Sequence, residues 1–351
     1  MLAPQLAHYQ TFAMRGVHWL PYVMYFNQPN YRSPVINTDS QGFRFSHGEK
    51  GRYALGDECP EGPVSLLMGG SSAFGFGAGS DRTTLSSLLG QESGGTWLNL
   101  AAPAFNSTQE VLLFLLHRHQ LSGVRDVVIF SGLNNLVVAG LPGADQGYGQ
   151  FFFSGDFYGE LRGVEARRTP ISHTAGPATG LRRLLPPALS RLLSRPARGD
   201  AAPPGPPLAR RIEIAADAIR HDLDRLIDLL APTGARVSFA LQPAPHWCGK
   251  KLSAEETVLL GDNGSLWSKV WAGFRPALVE EAHAGYAEAI GRACKERGIT
   301  FVDVNTSLPL VAEKGEWLFV DPVHLNDRGN ALVAEVLCRE LNLGETWKGK
   351  P

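Results

Sequence analysis

The strongest indication of the fold in this sequence is a serine directly after a predicted buried strand, in a glycine-rich turn. Residues 64–68 predict a buried strand, which the turn Gly69-Gly70-Ser71 then ends. A serine there has its hydroxyl exposed at the carboxyl edge of a sheet, near a helix N-terminus whose free N–H groups favour negative charge. Glycines beside it let other backbone or a substrate approach closely. Because such a turn often only ends a strand and has no catalytic role, the hypothesis of a nucleophilic serine depends on three further segments.

The first of these segments lies near the C-terminus, where an acid precedes a histidine by three residues. Asp321 and His324 flank a Pro-Val pair on a short predicted loop. A carboxylate there can hold one imidazole nitrogen while the other faces a serine, whose hydroxyl is inert until a base removes its proton. Asp303, at the end of another predicted strand, is a competing acid, but we expect no histidine near it. The pattern therefore favours Asp321 and His324.

The other two segments also follow apolar runs. Asn134 comes shortly after the run 127–130, and its amide side chain would lie at the same edge of the sheet. Ala104 comes after the short predicted strand 96–100, where a backbone N–H could point at the same spot. Ligands of open α/β sheets bind beyond the carboxyl ends of the strands. The segments are therefore expected to converge on one site.

In this order the four segments resemble the conserved blocks of the SGNH (GDSL-type) hydrolase superfamily, from about residue 64 to the C-terminus. The resemblance implies that Ser71 is the nucleophile, with Asp321 and His324 as the acid and base of a catalytic triad. It also implies an oxyanion hole formed by the N–H groups of Ser71 and Ala104 and by the side-chain amide of Asn134.

Three positions depart from the pattern of that superfamily. Ala104 stands where the family has a glycine, Gly70 replaces the aspartate of Gly-Asp-Ser, and Asn135 replaces the aspartate after the oxyanion asparagine. None of these changes removes a catalytic group, since the donor at position 104 is main-chain. We expect Ala104→Gly to be tolerated, at a small cost in stability from added chain entropy. Ser72 is the weaker nucleophile, because Ser71 is third in the motif.

Short apolar strands alternate with helical patterns, which indicates an α/β protein whose parallel sheet is covered on both faces. The predicted fold is a three-layer α/β/α sandwich with a five-stranded, flavodoxin-like parallel sheet. The predicted strands lie near 64–68, 96–100, 126–130, 235–241 and 299–303, and the predicted helices near 82–90, 107–121, 210–231, 276–297 and 327–341. We assign residues 1–62 to an N-terminal extension packing on the core and 63–351 to the hydrolase domain, with insertions at about 136–209 and 244–275.

The regions outside the predicted sheet are expected to cover its edge and the pocket. The extension, rich in aromatic residues, is interpreted as a structural cap, with a hairpin turn at 37–44. In the first insertion, Phe152 and Phe153 are either an apolar wall of a substrate pocket or plain packing. In the second, His246 and Trp247 are candidate substrate contacts, although a loop histidine beside a tryptophan is more often structural.

Composition excludes several classes of protein. A formal net charge of −1 over 351 residues gives no electrostatic argument for binding nucleic acid or an anionic membrane. No run approaches the ~20 apolar residues of a membrane span, and the first residues lack a signal-peptide pattern. The four cysteines contain no C-x-x-C pair, which indicates thiols in a reducing compartment, and no residue cluster has metal-ligand spacing. We therefore expect a cytoplasmic protein without a metal or other cofactor.

These expectations combine into a serine acyl-ester hydrolase, an esterase or thioesterase working through a covalent acyl-enzyme. Its partner would be a small-molecule acyl ester or thioester; acyl length, and delivery by a carrier protein, are left open. One alternative is an acyltransferase that uses the same triad in a biosynthetic pathway. Another is a catalytically idle accessory module, which the joint presence of the serine, asparagine, aspartate and histidine disfavours.

Overall fold

The computed structural model describes residues 2–14, 19–49, 51–57, 59–141, 144, 151–152, 205–261 and 273–344. Most of the first predicted insertion, Phe153 included, and part of the second lie outside the described residues. The remainder is an α/β fold built around five parallel strands with helices on both faces, which confirms the predicted fold class.

The strands fall into one large parallel sheet and one small antiparallel pair. In chain order they are β1 (Ser46–Gly48), β2 (Gly51–Tyr53), β3 (Pro63–Gly69), β4 (Trp97–Ala101), β5 (Gly123–Ser131), β6 (Arg236–Leu241) and β7 (Thr300–Asp303). The large sheet has the order β4-β3-β5-β6-β7, and β1 pairs only with β2. Within the large sheet the chain forms β3 first, adds β4 on one side and then crosses to β5 on the other. This is the flavodoxin-like order, whose ligand crevice lies at the carboxyl ends of the strands where the direction switches.

The helices cover this sheet. They are α1 (Leu6–Met14), α2 (Ser71–Phe74), α3 (Leu85–Ser93), α4 (Ser107–His117), α5 (Leu133–Val138), α6 (Leu208–Leu230), α7 (Ala254–Leu260), α8 (Glu280–Lys295), α9 (Val304–Val311) and α10 (Asp327–Glu340). The five predicted helices correspond to α3, α4, α6, α8 and α10, with ends that differ by a few residues. The short helices α2 and α5 carry too few residues for a helical period to be read.

Two apolar cores lie on opposite faces of the sheet because successive strand residues point to opposite sides. On β3, Leu66 and Met68 pack into a core with α4, α6 and α8, whereas Leu67 packs into a core with α3, α9 and α10. Since both faces are buried, the strand reads as a continuous apolar run and not as an alternating one. The layers place the carboxyl ends of β3 and β5 side by side.

The N-terminal region contributes side chains to both cores. Phe26 and Phe43 are buried with the α4, α6 and α8 layer, and Tyr9 and Phe12 of α1 are buried with the α3, α9 and α10 layer. The turn predicted within 37–44 closes an antiparallel bridge between Thr38 and Arg44. Residues of this region therefore pack beside both faces of the sheet.

Among the described helices, none combines the length and apolar character needed to cross a lipid bilayer. The four cysteines are all free thiols, and Cys248 and Cys294 are buried.

Candidate active site

Ser71 begins α2 directly after β3, where Gly70 turns the chain. A Cβ built on Gly70 would lie 2.6 Å from Asn134 Nδ2 and 3.2 Å from the carbonyl oxygen of Phe105. Any larger residue would therefore displace the amide of Asn134. This close packing accounts for a glycine at the position where the superfamily pattern has an aspartate.

His324 joins Ser71 and Asp321 in one series of hydrogen bonds. Its Nε2 lies 2.7 Å from Ser71 Oγ, and its Nδ1 lies 2.7 Å from Asp321 Oδ2. A carboxylate only accepts, so Nδ1 carries the proton in this pair and Nε2 is left to accept from the serine hydroxyl. The other oxygen, Asp321 Oδ1, accepts the backbone N–H groups of Val323 and His324 at 2.9 and 2.8 Å. The carboxylate is thereby fixed before it orients the imidazole.

An aromatic ring also fixes the face of this imidazole. Phe76 stacks on His324 with ring centroids 4.4 Å apart and planes 30° apart. Phe76 packs in turn against Tyr9 of α1, again at 4.4 Å between centroids. His324 is only 4% exposed, so its ring has little freedom to leave the serine.

Ser72 is the neighbouring hydroxyl, and it has different partners. Its Oγ accepts a hydrogen bond from Gln242 Nε2 at 3.0 Å and lies 3.4 Å from the carbonyl oxygen of Val323. The residue is 5% exposed. Ser72 thus links the turn after β3 to the end of β6 and to the Asp321–His324 loop, while Ser71 faces the imidazole.

Three hydrogen-bond donors are candidates for an oxyanion hole. Asn134 Nδ2 donates one hydrogen to the carbonyl oxygen of Phe105 at 2.7 Å, and its second hydrogen has no acceptor among the described residues. The backbone N–H groups of Ser71 and Ala104 likewise have no acceptor in that part of the chain. Unpaired donors beside a nucleophile are what an oxyanion hole requires.

Ala104 adopts a left-handed conformation, with φ of +63°. This backbone costs an L-residue with a Cβ roughly 1–2 kcal/mol, and glycine is free of that cost. This conformation argues for the opposite sign to the expected loss of stability in Ala104→Gly, because the entropy argument assumed an unstrained alanine. Ala104→Pro would not isolate the N–H donor, because proline locks φ near −65° and would change the backbone as well as remove the donor.

Asn135, the third departure from the superfamily pattern, holds the start of α4. Its Oδ1 accepts the backbone N–H of Ser107 at 3.1 Å, and its Nδ2 donates to Ser107 Oγ at 2.7 Å. Ser107 Oγ then donates to the buried carboxylate of Asp222 at 2.7 Å. An amide can donate and accept at once, which a carboxylate cannot, so asparagine suits this position.

A buried carboxyl group lies behind the end of β5. Glu110 Oε1 accepts a hydrogen bond from Ser131 Oγ at 2.6 Å. Burial, reinforced by the nearby Asp222 and opposed by the hydrogen bond from Ser131, raises the pKa of Glu110 to about 8. The group is therefore mostly protonated at pH 7, and it adds little negative charge behind the strand that leads to Asn134.

The competing acid, Asp303, has a histidine partner after all. Its Oδ2 lies 2.9 Å from Nε2 of His283 on α8, which corrects the expectation that no histidine is near it. The two residues are far apart in sequence, so only the packing of α8 beside β7 brings them together. Asp303 Oδ1 also caps α9 by accepting the backbone N–H of Asn305 at 3.1 Å. This pair is separate from the Ser71–His324–Asp321 series.

The predicted substrate contacts differ in their surroundings. Trp247 is 4% exposed, its Nε1 donates to the carbonyl oxygen of Ala277 at 3.0 Å, and its ring stacks on His283. These contacts give Trp247 a packing role, and its part as a substrate contact stays a prediction. His246 is exposed, and Phe152 is half-buried and stacked on Phe274 with centroids 5.6 Å apart.

Sequence reasoning missed the part of the N-terminal region that holds the turn of Ser71. The guanidinium of Arg44 is fully buried, pairs with Asp81 at 2.8 Å, and donates to the carbonyl oxygens of Phe74 and Gly75 at 3.1 and 2.9 Å. Tyr9 Oη donates to the same Gly75 oxygen at 2.6 Å. These bonds fix the C-terminal end of α2. The signal in the sequence was the aromatic content of the region, which indicated packing but not these bonds.

Comparison with known proteins gives similarity in structure alone. No protein-family model matches the chain, and no curated protein matches its sequence. An extracellular lipase from Streptomyces rimosus is 16% identical, with 80% of this chain and 100% of that chain covered and a TM-score of 0.42. A lipase/acylhydrolase from Enterococcus faecalis is 12% identical (80% and 95% covered, TM-score 0.41). A member of the lipolytic G-D-S-L family from Veillonella parvula is 11% identical (79% and 97% covered, TM-score 0.39). Similarity at this level does not define an activity, which has to follow from the site.

Proposed function

We propose that this protein is a serine acyl-ester hydrolase of the SGNH type, acting on a small-molecule ester or thioester. The observation that carries the proposal is the contact of Ser71 Oγ with His324 Nε2 at 2.7 Å, with Asp321 bound to the other imidazole nitrogen. A serine is a nucleophile only beside a base, and the base needs a third group to orient it.

In the proposed reaction, His324 Nε2 takes the proton of Ser71 as Oγ attacks the substrate carbonyl. Asp321 stabilises the imidazolium that forms. The negative oxygen of the tetrahedral intermediate accepts hydrogen bonds from the N–H groups of Ser71 and Ala104 and from the free amide hydrogen of Asn134. These donors are fixed before the reaction, so little reorganisation is needed when the charge develops.

Collapse of the intermediate breaks the bond to the leaving alcohol or thiol, which receives the proton held by His324. A water molecule, deprotonated by the same imidazole, then attacks the acyl-enzyme, and the acid is released as Ser71 Oγ takes the proton back from His324. Transfer to an alcohol or amine in place of water would use the same groups, and a carrier-bound acyl donor would enter at the same step. A cytoplasmic location stays a prediction alongside this reaction.

Turnover of a short p-nitrophenyl ester tests the proposal. We expect Ser71→Ala and His324→Ala each to lower kcat by roughly 10⁴–10⁶, because each removes an essential member of one unit. Ser72→Ala is the matched control, since it deletes the adjacent hydroxyl, and it should retain far more activity than Ser71→Ala. Circular dichroism melts of all three variants check that the fold is kept.

Retention of most activity by Ser71→Ala would overturn the proposal. Product analysis with and without an added alcohol then separates hydrolysis from transfer. Free acid as the main product in both cases is the result expected for a hydrolase, and a dominant ester of the added alcohol would reassign the protein as an acyltransferase.

A further inference from the structure

One residue of the N-terminal region contacts the strained loop of the candidate oxyanion hole directly. The hydroxyl of Tyr25 donates a hydrogen bond to the carbonyl oxygen of Pro103. The tyrosine is 7% exposed, and its ring meets Phe105 edge-on at 5.9 Å between centroids. A second hydrogen bond from the same region lies just before the loop, where Asn27 Nδ2 donates to the carbonyl oxygen of Ala101 at 3.1 Å.

The acceptor of Tyr25 belongs to the same peptide unit as the candidate donor. The carbonyl of Pro103 and the N–H of Ala104 share one planar amide, and in a trans peptide they point in opposite directions. Fixing the oxygen therefore fixes the direction of the N–H. A hydrogen bond to the oxygen also polarises the amide and strengthens its N–H as a donor.

This loop needs fixing because its central residue is strained. Ala104 has φ of +63°, a conformation that persists only when the surroundings impose it. Two hydrogen bonds flank the residue: Tyr25 holds the carbonyl before it, and Asn134 Nδ2 holds the carbonyl of Phe105 after it at 2.7 Å. Without one of them, the loop can relax toward an unstrained conformation that turns the N–H away.

We propose that Tyr25 is a positioning residue of the oxyanion hole, which aims the Ala104 N–H at the substrate's carbonyl oxygen through the Pro103–Ala104 peptide. The inference rests on the proposed function. It assigns the N-terminal region a part in the reaction beyond covering the sheet edge. Burial raises the pKa of Tyr25 well above its usual value, so the hydroxyl remains a neutral donor over the pH range of an assay.

The test is Tyr25→Phe, which keeps the ring and removes only the hydroxyl. Loss of a whole oxyanion donor costs about 10²–10³ in kcat, so a misdirected donor should cost roughly 10- to 100-fold. KM should change less than about twofold, because the interaction forms in the transition state and not with bound substrate. The pH profile of kcat/KM should keep its midpoint, because His324 is untouched.

The matched control is Tyr53→Phe, the same change at a buried tyrosine of the N-terminal region. Tyr53 lies on β2, which pairs with β1 and not with the sheet that carries the site. We expect its kcat to equal that of the wild type. If the role of Tyr25 is only structural, Tyr25→Phe will instead lower thermal stability or raise KM and leave kcat unchanged.

The outcomes separate this inference from the proposed function. Ser71-dependent turnover in the wild type, with the loss in kcat confined to Tyr25→Phe, supports both. Ser71-dependent turnover with Tyr25→Phe as fast as the control overturns the inference and leaves the proposed function standing. A wild-type protein without Ser71-dependent turnover overturns the proposed function and this inference with it.

Discussion

The base side and the oxyanion side of the candidate site are built from different ranges of the chain. On the base side, Asp321 accepts hydrogen bonds from Val323 N, His324 N and His324 Nδ1, all within four residues. On the oxyanion side, the loop 103–105 is held by Asn134 from after β5 and, through Pro103, by the N-terminal region. The bonds that hold Asp321 to His324 are local, whereas those that hold the loop 103–105 come from distant parts of the chain.

The two sides are therefore expected to respond differently to substitution. Asp321 and His324 are held to each other within one short loop, so replacing either residue removes a catalytic group outright. The oxyanion side is assembled from separate segments around a strained residue, Ala104, so its effects are graded and reach beyond the groups that touch substrate. Substitutions on each side therefore test whether the two sides respond differently.

The largest effect on the oxyanion side is expected from Asn134→Ala. It removes a side-chain donor and also frees the carbonyl of Phe105, so kcat should fall by roughly 10²–10³ with little change in KM. Asn134→Asp should be at least as harmful, because it puts a carboxylate beside the developing negative charge. Steady-state kinetics with a short p-nitrophenyl ester measures both.

The loss in Asn134→Ala should remain clearly smaller than that in His324→Ala. Equal losses of kcat would show that the two sides contribute alike. They would contradict the prediction that substitutions on the oxyanion side have smaller, graded effects. A wild-type kcat in Asn134→Ala would show that the Asn134 amide does not stabilise the oxyanion.

The smallest effect is expected from Ala104→Gly. Because φ at this position is +63°, glycine relieves strain and should raise the free energy of unfolding by about 0.5–1 kcal/mol after its own entropy cost. The N–H donor is kept, so kcat should stay within about threefold of wild type. Urea denaturation and steady-state kinetics measure the two quantities.

The control for that change is Ala231→Gly, at an exposed alanine with φ of −49°. Here glycine only adds chain entropy, and the free energy of unfolding should fall by about 0.5–1 kcal/mol. If Ala104→Gly lowers the free energy of unfolding by the same amount, Ala104 does not have a left-handed conformation and the loop is not strained.

The sheet and the local half of the site could be predicted from sequence because their signals are short-range. Apolar runs that end in polar turns predicted β3 to β7, and the spacing of Asp321 and His324 predicted their contact. The pairing of Asp303 with His283 could not be predicted, because it joins residues brought together only by packing.

The support from the N-terminal region was hidden by a misleading local pattern. In the run Phe43-Arg44-Phe45, a polar residue between two aromatic residues suggests a side chain facing solvent. Arg44 is instead fully buried, because Asp81 and the carbonyl oxygens at the end of α2 satisfy its charge and donors. Partners that come from distant segments cannot be identified from the sequence around Arg44, so the burial of its charge could not be predicted.

The most direct test of Ser71 as the nucleophile is the position of a covalent adduct after reaction with a fluorophosphonate, located by tandem mass spectrometry. We expect one adduct per chain, on Ser71 and not on the adjacent Ser72. The adduct should be absent from Ser71→Ala and still form in Ser72→Ala. An adduct on Ser72, or a wild-type protein that the reagent leaves unmodified, would contradict the assignment of Ser71 as the activated nucleophile.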